Sequence, residues 1–238
     1  MSRETENAVL LLVGVCTMII TVTGAYTRYV KPSLQPWLLA SAVVLITLAV
    51  VSIVRDVRRG PEQRDDDDDH GHRSGVVWLL VLPIGLLGFV VPPALGSQSQ
   101  LRTVNEVSTD VLRRPYPPLP DERAPEISLP ELLVRNARDS AGSLNDRLVT
   151  VTGFTMKDGG RTDLGRIVIL CCAADGQLAR VTLAGPAAGQ AASLPDGTWV
   201  KVEGKVVTGQ TDSALRTIPT MVVTLVQQIE PPANTYVY

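Results

Sequence analysis

Residues 8–26 read AVLLLVGVCTMIITVTGAY, a run of nineteen positions without a charged side chain. At a rise of about 1.5 Å per residue, a helix of that length covers roughly 28 Å, close to the thickness of a bilayer's hydrocarbon core. Two further runs share the pattern, from Trp37 to Val54 and from Val76 to Leu95. All three are apolar all round instead of carrying one apolar stripe, which points to lipid and not to the core of a soluble protein. Tyr26, Tyr29, Trp37 and Trp78 stand at or near their ends, where amphipathic rings sit at headgroup level. The segment before the first run does not suit a cleaved secretory signal, because Arg3 is outweighed by Glu4 and Glu6. The expectation is three transmembrane helices over residues 1–95, followed by a soluble domain.

The whole-chain averages conceal this division. The 238 residues are 45% hydrophobic and 4% aromatic, with a net charge of −2. From residue 96 onward there are 14 Lys and Arg against 15 Asp and Glu, so no basic half is hidden that would suit nucleic acid. Basic residues concentrate in the loop spanning 55–75, at Arg55, Arg58, Arg59, Arg64 and Arg73, whereas the first connection holds Arg28 and Lys31. Lys and Arg favour the cytoplasmic side. That rule places the N-terminus and the Arg-rich loop inside, and everything after Leu95 outside, in a multi-pass protein of a bacterial cell membrane. No expected span carries Asp, Glu, Lys or His, so an ion path would have to come from a partner.

The same loop contains Asp65, Asp66, Asp67, Asp68, Asp69, His70, Gly71 and His72. Carboxylate oxygens and imidazole nitrogens together suit a divalent metal such as Zn. The competing reading is a solvated charge run that keeps the loop out of the membrane.

Residues 96–139 read as a Pro-rich linker ending in a short helix. Prolines at 115, 117, 118, 120, 125 and 130 favour extended spacer structure. Ser128 and Glu131 follow the capping-box pattern and open a helix over 129–138. From Leu148 the apolar period becomes two, and residues 140–238 are expected to form the outer domain. Strands are expected from Leu148, over Arg166 to Cys172, over Leu178 to Leu183, from Trp199 to Val206, and from Met221 to Ile229. Asp158-Gly159-Gly160, Asp175-Gly176 and Asp196-Gly197 supply turn residues that tolerate positive φ. Five short strands suggest a small all-β, OB-like barrel, with a loop or a turn of helix between 184 and 194. The few aromatic residues and the balanced charge argue against nucleic-acid binding by that barrel.

Cys171-Cys172-Ala173-Ala174-Asp175 is the most distinctive stretch. Inside a strand the two thiols would point to opposite faces and act as small buried hydrophobes. If the strand ends at Cys171, a turn would gather Cys171, Cys172 and Asp175 into a soft-metal or redox site. A thiol oxidoreductase is the weaker reading, because Cys-x-x-Cys is absent.

Taken together, the chain resembles the YcgQ-like family of bacterial membrane proteins, described as subunits of a two-component permease. The likeness rests on Pro92-Pro93, Gly153-Phe154, Arg166-Ile167-Val168-Ile169, Cys171 to Asp175, and Trp199-Val200-Lys201-Val202-Glu203-Gly204. Where that pattern has Pro before a final Tyr-x-Tyr, this chain has Thr235 before Tyr236-Val237-Tyr238. The resemblance implies a membrane-anchored, non-enzymatic accessory subunit beside a multi-spanning permease. The outer domain would dock that partner or handle cargo through Cys171, Cys172 and Asp175. The alternative is a metal-homeostasis protein using the Asp/His loop and the paired cysteines.

Overall fold

The computed structural model describes residues 3–59, 117–138, 142–208 and 218–238. The chain divides into two compact units, Met1–Pro93 and Ala94–Tyr238. In the first, α1 (Arg3–Val22) and α2 (Gln35–Arg59) pack antiparallel. Gly24, at φ 78°, follows the end of α1, and a turn of 3-10 helix leads away from it. Small residues let the two backbones approach: Ala42 and Ala49 are fully buried, and a Cβ on Gly14 would meet Ile46 at 2.8 Å. Near the open end, the Asn7 side-chain amide donates to Asp56 at 3.0 Å. The outward faces stay apolar, with Ile19, Ile20, Val44 and Leu48 all exposed.

This corrects the expectation of three transmembrane helices. Among the described residues, one helix is long and apolar enough to cross a bilayer, within Pro32–Arg58 at a mean hydropathy of 2.6. The first run lies largely in α1, whose apolar stretch is the shorter Glu6–Val22. The third expected span, Val76 to Leu95, lies outside the described residues, as does the Asp/His loop. One N-terminal apolar helix has the composition of a membrane anchor or a signal sequence. A multi-pass topology, and the sidedness drawn from it, are not supported.

The second unit is built on a mixed sheet of six strands: β1 (Val149–Asp158), β2 (Arg161–Val168), β3 (Gln177–Ala184), β4 (Trp199–Val206), β5 (Thr220–Gln228) and β6 (Tyr236–Val237). Their order is β1-β4-β5-β3-β2-β6, with an additional β1–β2 pairing. A six-stranded mixed sheet thus replaces the expected five-stranded OB-like barrel. Two of its pairings, β3–β5 and β2–β6, are parallel. The extra strand is the tail, which pairs Ile167 with Tyr236 and Val168 with Val237 and buries Tyr236 despite Thr235.

Turn chemistry accounts for the hairpins. Gly159 and Gly160 both have positive φ, which fits the tight β1–β2 link. Gly197 also has positive φ, but Gly176 does not, contrary to expectation, its φ being −56°. Two short helices flank the sheet, α3 (Leu129–Arg138) and α4 (Ala188–Ser193). Ser128 Oγ accepts the Glu131 N–H at 3.2 Å, which starts α3 at the expected residue.

The core follows the period-two pattern. Val149, Val151, Leu164, Val181, Val200, Val202 and Met221 form one cluster, with Leu129 and Leu132 of α3 packed into it. A second cluster gathers Phe154, Ile167, Ile169, Leu178, Trp199 and Tyr236, with Phe154 edge-on to Trp199 at 5.6 Å. The outer side of β4 carries Lys201, Glu203 and Lys205, paired with Glu126, Arg123 and Asp146. The pairs to Arg123 and Glu126 orient the 117–127 segment more than they stabilise it.

Gly204 sits at the register shift between β4 and β5, where a Cβ would strike the Val222 carbonyl. Gly189 of α4 has open space around it. Gly204→Ala is therefore expected to lower stability by about 1–3 kcal/mol through overpacking. Gly189→Ala should raise it by about 0.5–1 kcal/mol through helix propensity. Urea denaturation midpoints of the two variants check this pair, and equal shifts would refute it.

Candidate functional site

β2 ends at Val168, three residues before Cys171, so neither cysteine lies in a strand. The chain then turns, and Cys172 in extended conformation (φ −152°, ψ 170°) precedes a single 3-10 turn over Ala173–Asp175. The physical cause of the break is Asp175. Its Oδ1 accepts the Leu170 N–H at 2.7 Å, and its Oδ2 accepts the N–H groups of Cys171 at 2.8 Å and Cys172 at 3.2 Å. Three consecutive backbone donors are therefore directed at one carboxylate and not at a neighbouring strand. The Asp175 N–H returns to the Cys172 carbonyl at 3.0 Å and closes the turn.

The turn gathers the side chains. The Cys171 thiol donates to Asp175 Oδ2 at 2.8 Å, and the two Sγ atoms are 3.7 Å apart. One ligand atom from each of Cys171, Cys172 and Asp175 lies within 4.8 Å of the others. Cys171 is exposed, and Cys172 and Asp175 are half-buried, so the cluster opens to solvent. Cys16 is a free thiol in α1. Asp65, Asp66, Asp67, Asp68, Asp69, His70 and His72 lie outside the described residues.

The electrostatics follow from the same bonds. The hydrogen bond to Asp175, then that to Cys172, pushes the Cys171 thiol up to about 11. Burial alone would raise the Asp175 pKa, but the Cys171 thiol and the three backbone N–H groups outweigh it and hold the carboxyl below its usual value. A carboxyl lowered in this way stabilises the turn at and above ordinary carboxylate pH. That contribution is lost only as acid protonates Asp175 below that range. At neutral pH the site is therefore an ionised carboxylate sharing a thiol proton with Cys171. Leu170 takes part only through its backbone N–H, which no side-chain pattern announces.

Comparison with known proteins places the two units separately. Residues 6–101 match the DUF1980 N-terminal domain, and residues 134–238 match the DUF1980 C-terminal domain. No curated protein matches. A solved structure described as an aspartyl-tRNA synthetase from Leishmania major Friedlin is 13% identical, covering 57% of this chain and 26% of that chain, with a TM-score of 0.29. The chain thus spans about a quarter of that protein, and a likeness of this size carries no argument. The N-terminal helices and the sheet with its Cys-Cys-Ala-Ala-Asp turn fall within the two matched segments, and the chain belongs to the DUF1980 family, carrying both its N-terminal and its C-terminal domain.

Proposed function

We propose that the C-terminal domain binds a soft divalent cation, zinc fitting best, through Cys171, Cys172 and Asp175. The observation that carries this reading is the spacing of the three ligand atoms. Tetrahedral zinc with bonds to sulfur of about 2.3 Å sets its sulfurs about 3.8 Å apart. The two Sγ atoms already stand at 3.7 Å. A carboxylate oxygen bound at about 2.0 Å would sit roughly 3.5 Å from each sulfur. The Cys171–Asp175 contact of 2.8 Å would therefore open by roughly 0.7 Å as the metal replaces the shared proton. The backbone bonds to Asp175 fix the carboxylate beforehand, which reduces the ordering cost of capture. Three protein ligands leave a fourth position for water or a group from cargo or partner.

The raised Cys171 pKa argues against thiol–disulfide exchange, whose catalysts expose a thiol of lowered pKa, and it means that a bound cation has to displace the thiol proton. A second feature supports action at a membrane. α2 is long and apolar enough to span one, and the outer faces of α1 and α2 are apolar. In this reading the domain hands a cation to, or receives one from, a multi-spanning permease subunit held beside it. Gentle-detergent purification from native membranes is expected to return such a partner with the chain. Recovery of the chain alone would remove the permease part and leave the cation site standing.

Zinc should bind with one equivalent lost in Cys171→Ser/Cys172→Ser, and weakened in Asp175→Asn. His70→Ala/His72→Ala should leave that equivalent in place. Because each thiol proton must leave, affinity should rise with pH, about tenfold per pH unit for each proton displaced between pH 6.5 and 8.5. Competition titration with a chromophoric chelator measures both. Full zinc content in the double cysteine variant, or an affinity independent of pH, would sink the proposal.

A further inference from the structure

A second site stands apart from the cysteine turn. The Glu126–Leu129 segment, Thr152 of β1, Arg166 of β2 and the tail at Pro232 and Val237 line an open cavity of about 300 Å³, at the small end of ligand pockets. Arg166 is its unusual member. It is 7% exposed, its guanidinium lies 4.6 Å from the centre of the Trp199 ring, and its Nη2 donates to the Asn234 carbonyl at 2.8 Å. Its Nε is buried without an acceptor, and it makes no ion pair among the described residues. Burial lowers its pKa to about 10, which leaves it charged at neutral pH. Tyr238 offsets part of the burial electrostatically, and an anion in the cavity would offset more of it.

The neighbouring groups narrow the class of anion. Ser128 and Leu129, at the N-terminus of α3, are among its lining residues, and that end of the helix dipole, like the guanidinium, favours negative charge. Glu126 also lines the cavity, but its charge is met by Lys201 at 2.7 Å and by the Thr152 hydroxyl at 3.2 Å. A second carboxylate that close disfavours a multiply charged ligand such as phosphate. Ile127, Pro232 and Val237 supply apolar lining. We infer that this cavity binds a small aliphatic monocarboxylate, with its carboxylate on Arg166 and its chain against the apolar lining.

Saturation-transfer NMR on the full chain at pH 7 tests this with pentanoate, pentanol and inorganic phosphate as probes. Pentanoate should give a saturable signal that neither pentanol nor phosphate displaces at equal concentration. Arg166→Met should weaken pentanoate about tenfold or more, the loss expected for a charge-assisted hydrogen bond. Far-ultraviolet circular dichroism and an unchanged urea unfolding transition check that this variant is folded. Glu126→Gln, on the accessible side of the cavity, should bind pentanoate several-fold more tightly and provides an arm that does not disturb the core. Equal binding of pentanol, displacement by phosphate, or weaker pentanoate binding in Glu126→Gln would overturn the assignment. So would unchanged affinity in folded Arg166→Met.

Discussion

The carboxylate of Asp175 organises the turn on which the functional reading depends. Three successive backbone N–H groups, from Leu170, Cys171 and Cys172, converge on its two oxygens. Hydrogen bonds to an ionised acceptor are about twice as strong as neutral ones. Here they draw the chain out of the β2 ladder and set both thiols on one side of a single turn. Without that carboxylate, residues 169–172 would be free to continue as strand, and alternation would direct the two cysteines to opposite faces. Asp175 is thus both the device that shapes the loop and one of its three ligand groups.

The sheet supplies the frame that holds this turn. β2 and β3 run antiparallel on either side of it, from Asp163 opposite Thr182 to Val168 opposite Gln177. The tail adds a sixth strand against β2, and the Ile169 N–H continues that contact to the Val237 carbonyl at 3.0 Å. The residues just before the cysteines are therefore fixed from two sides, while the turn itself stays open to solvent. The same tail lines the Arg166 cavity, so both proposed sites depend on its docking. Their chemistries differ: one gathers soft anionic ligands, the other presents a cation and a helix N-terminus.

Legibility in the sequence followed the physical range of each signal. Local signals succeeded. Ser128 and Glu131 located α3, and alternation located β1 and β4. Longer-range effects did not show. β2 begins at Arg161 and not at Arg166, because its first half holds Asp163 and Gly165 and breaks the apolar run. It stops at Val168 because a side chain seven residues on takes the next donors. β6 is two residues long, too short for any period. The apolar run at 8–26 reads as one continuous span, yet its helix ends at Val22 and the chain turns at Gly24. The Cys-Cys-Ala-Ala-Asp motif was legible as a choice between strand and turn, and the geometry places its three side chains together. Arg166 was hidden inside an apolar strand, although a charge in such a run is itself a signal.

The central claim is that this turn presents two thiolates and one carboxylate to a single metal ion. X-ray absorption at the zinc edge of the loaded protein tests it most directly. The account predicts two sulfur neighbours at about 2.3 Å and two oxygen neighbours at about 2.0 Å. A shell containing only oxygen and nitrogen would contradict it by placing the metal away from Cys171 and Cys172.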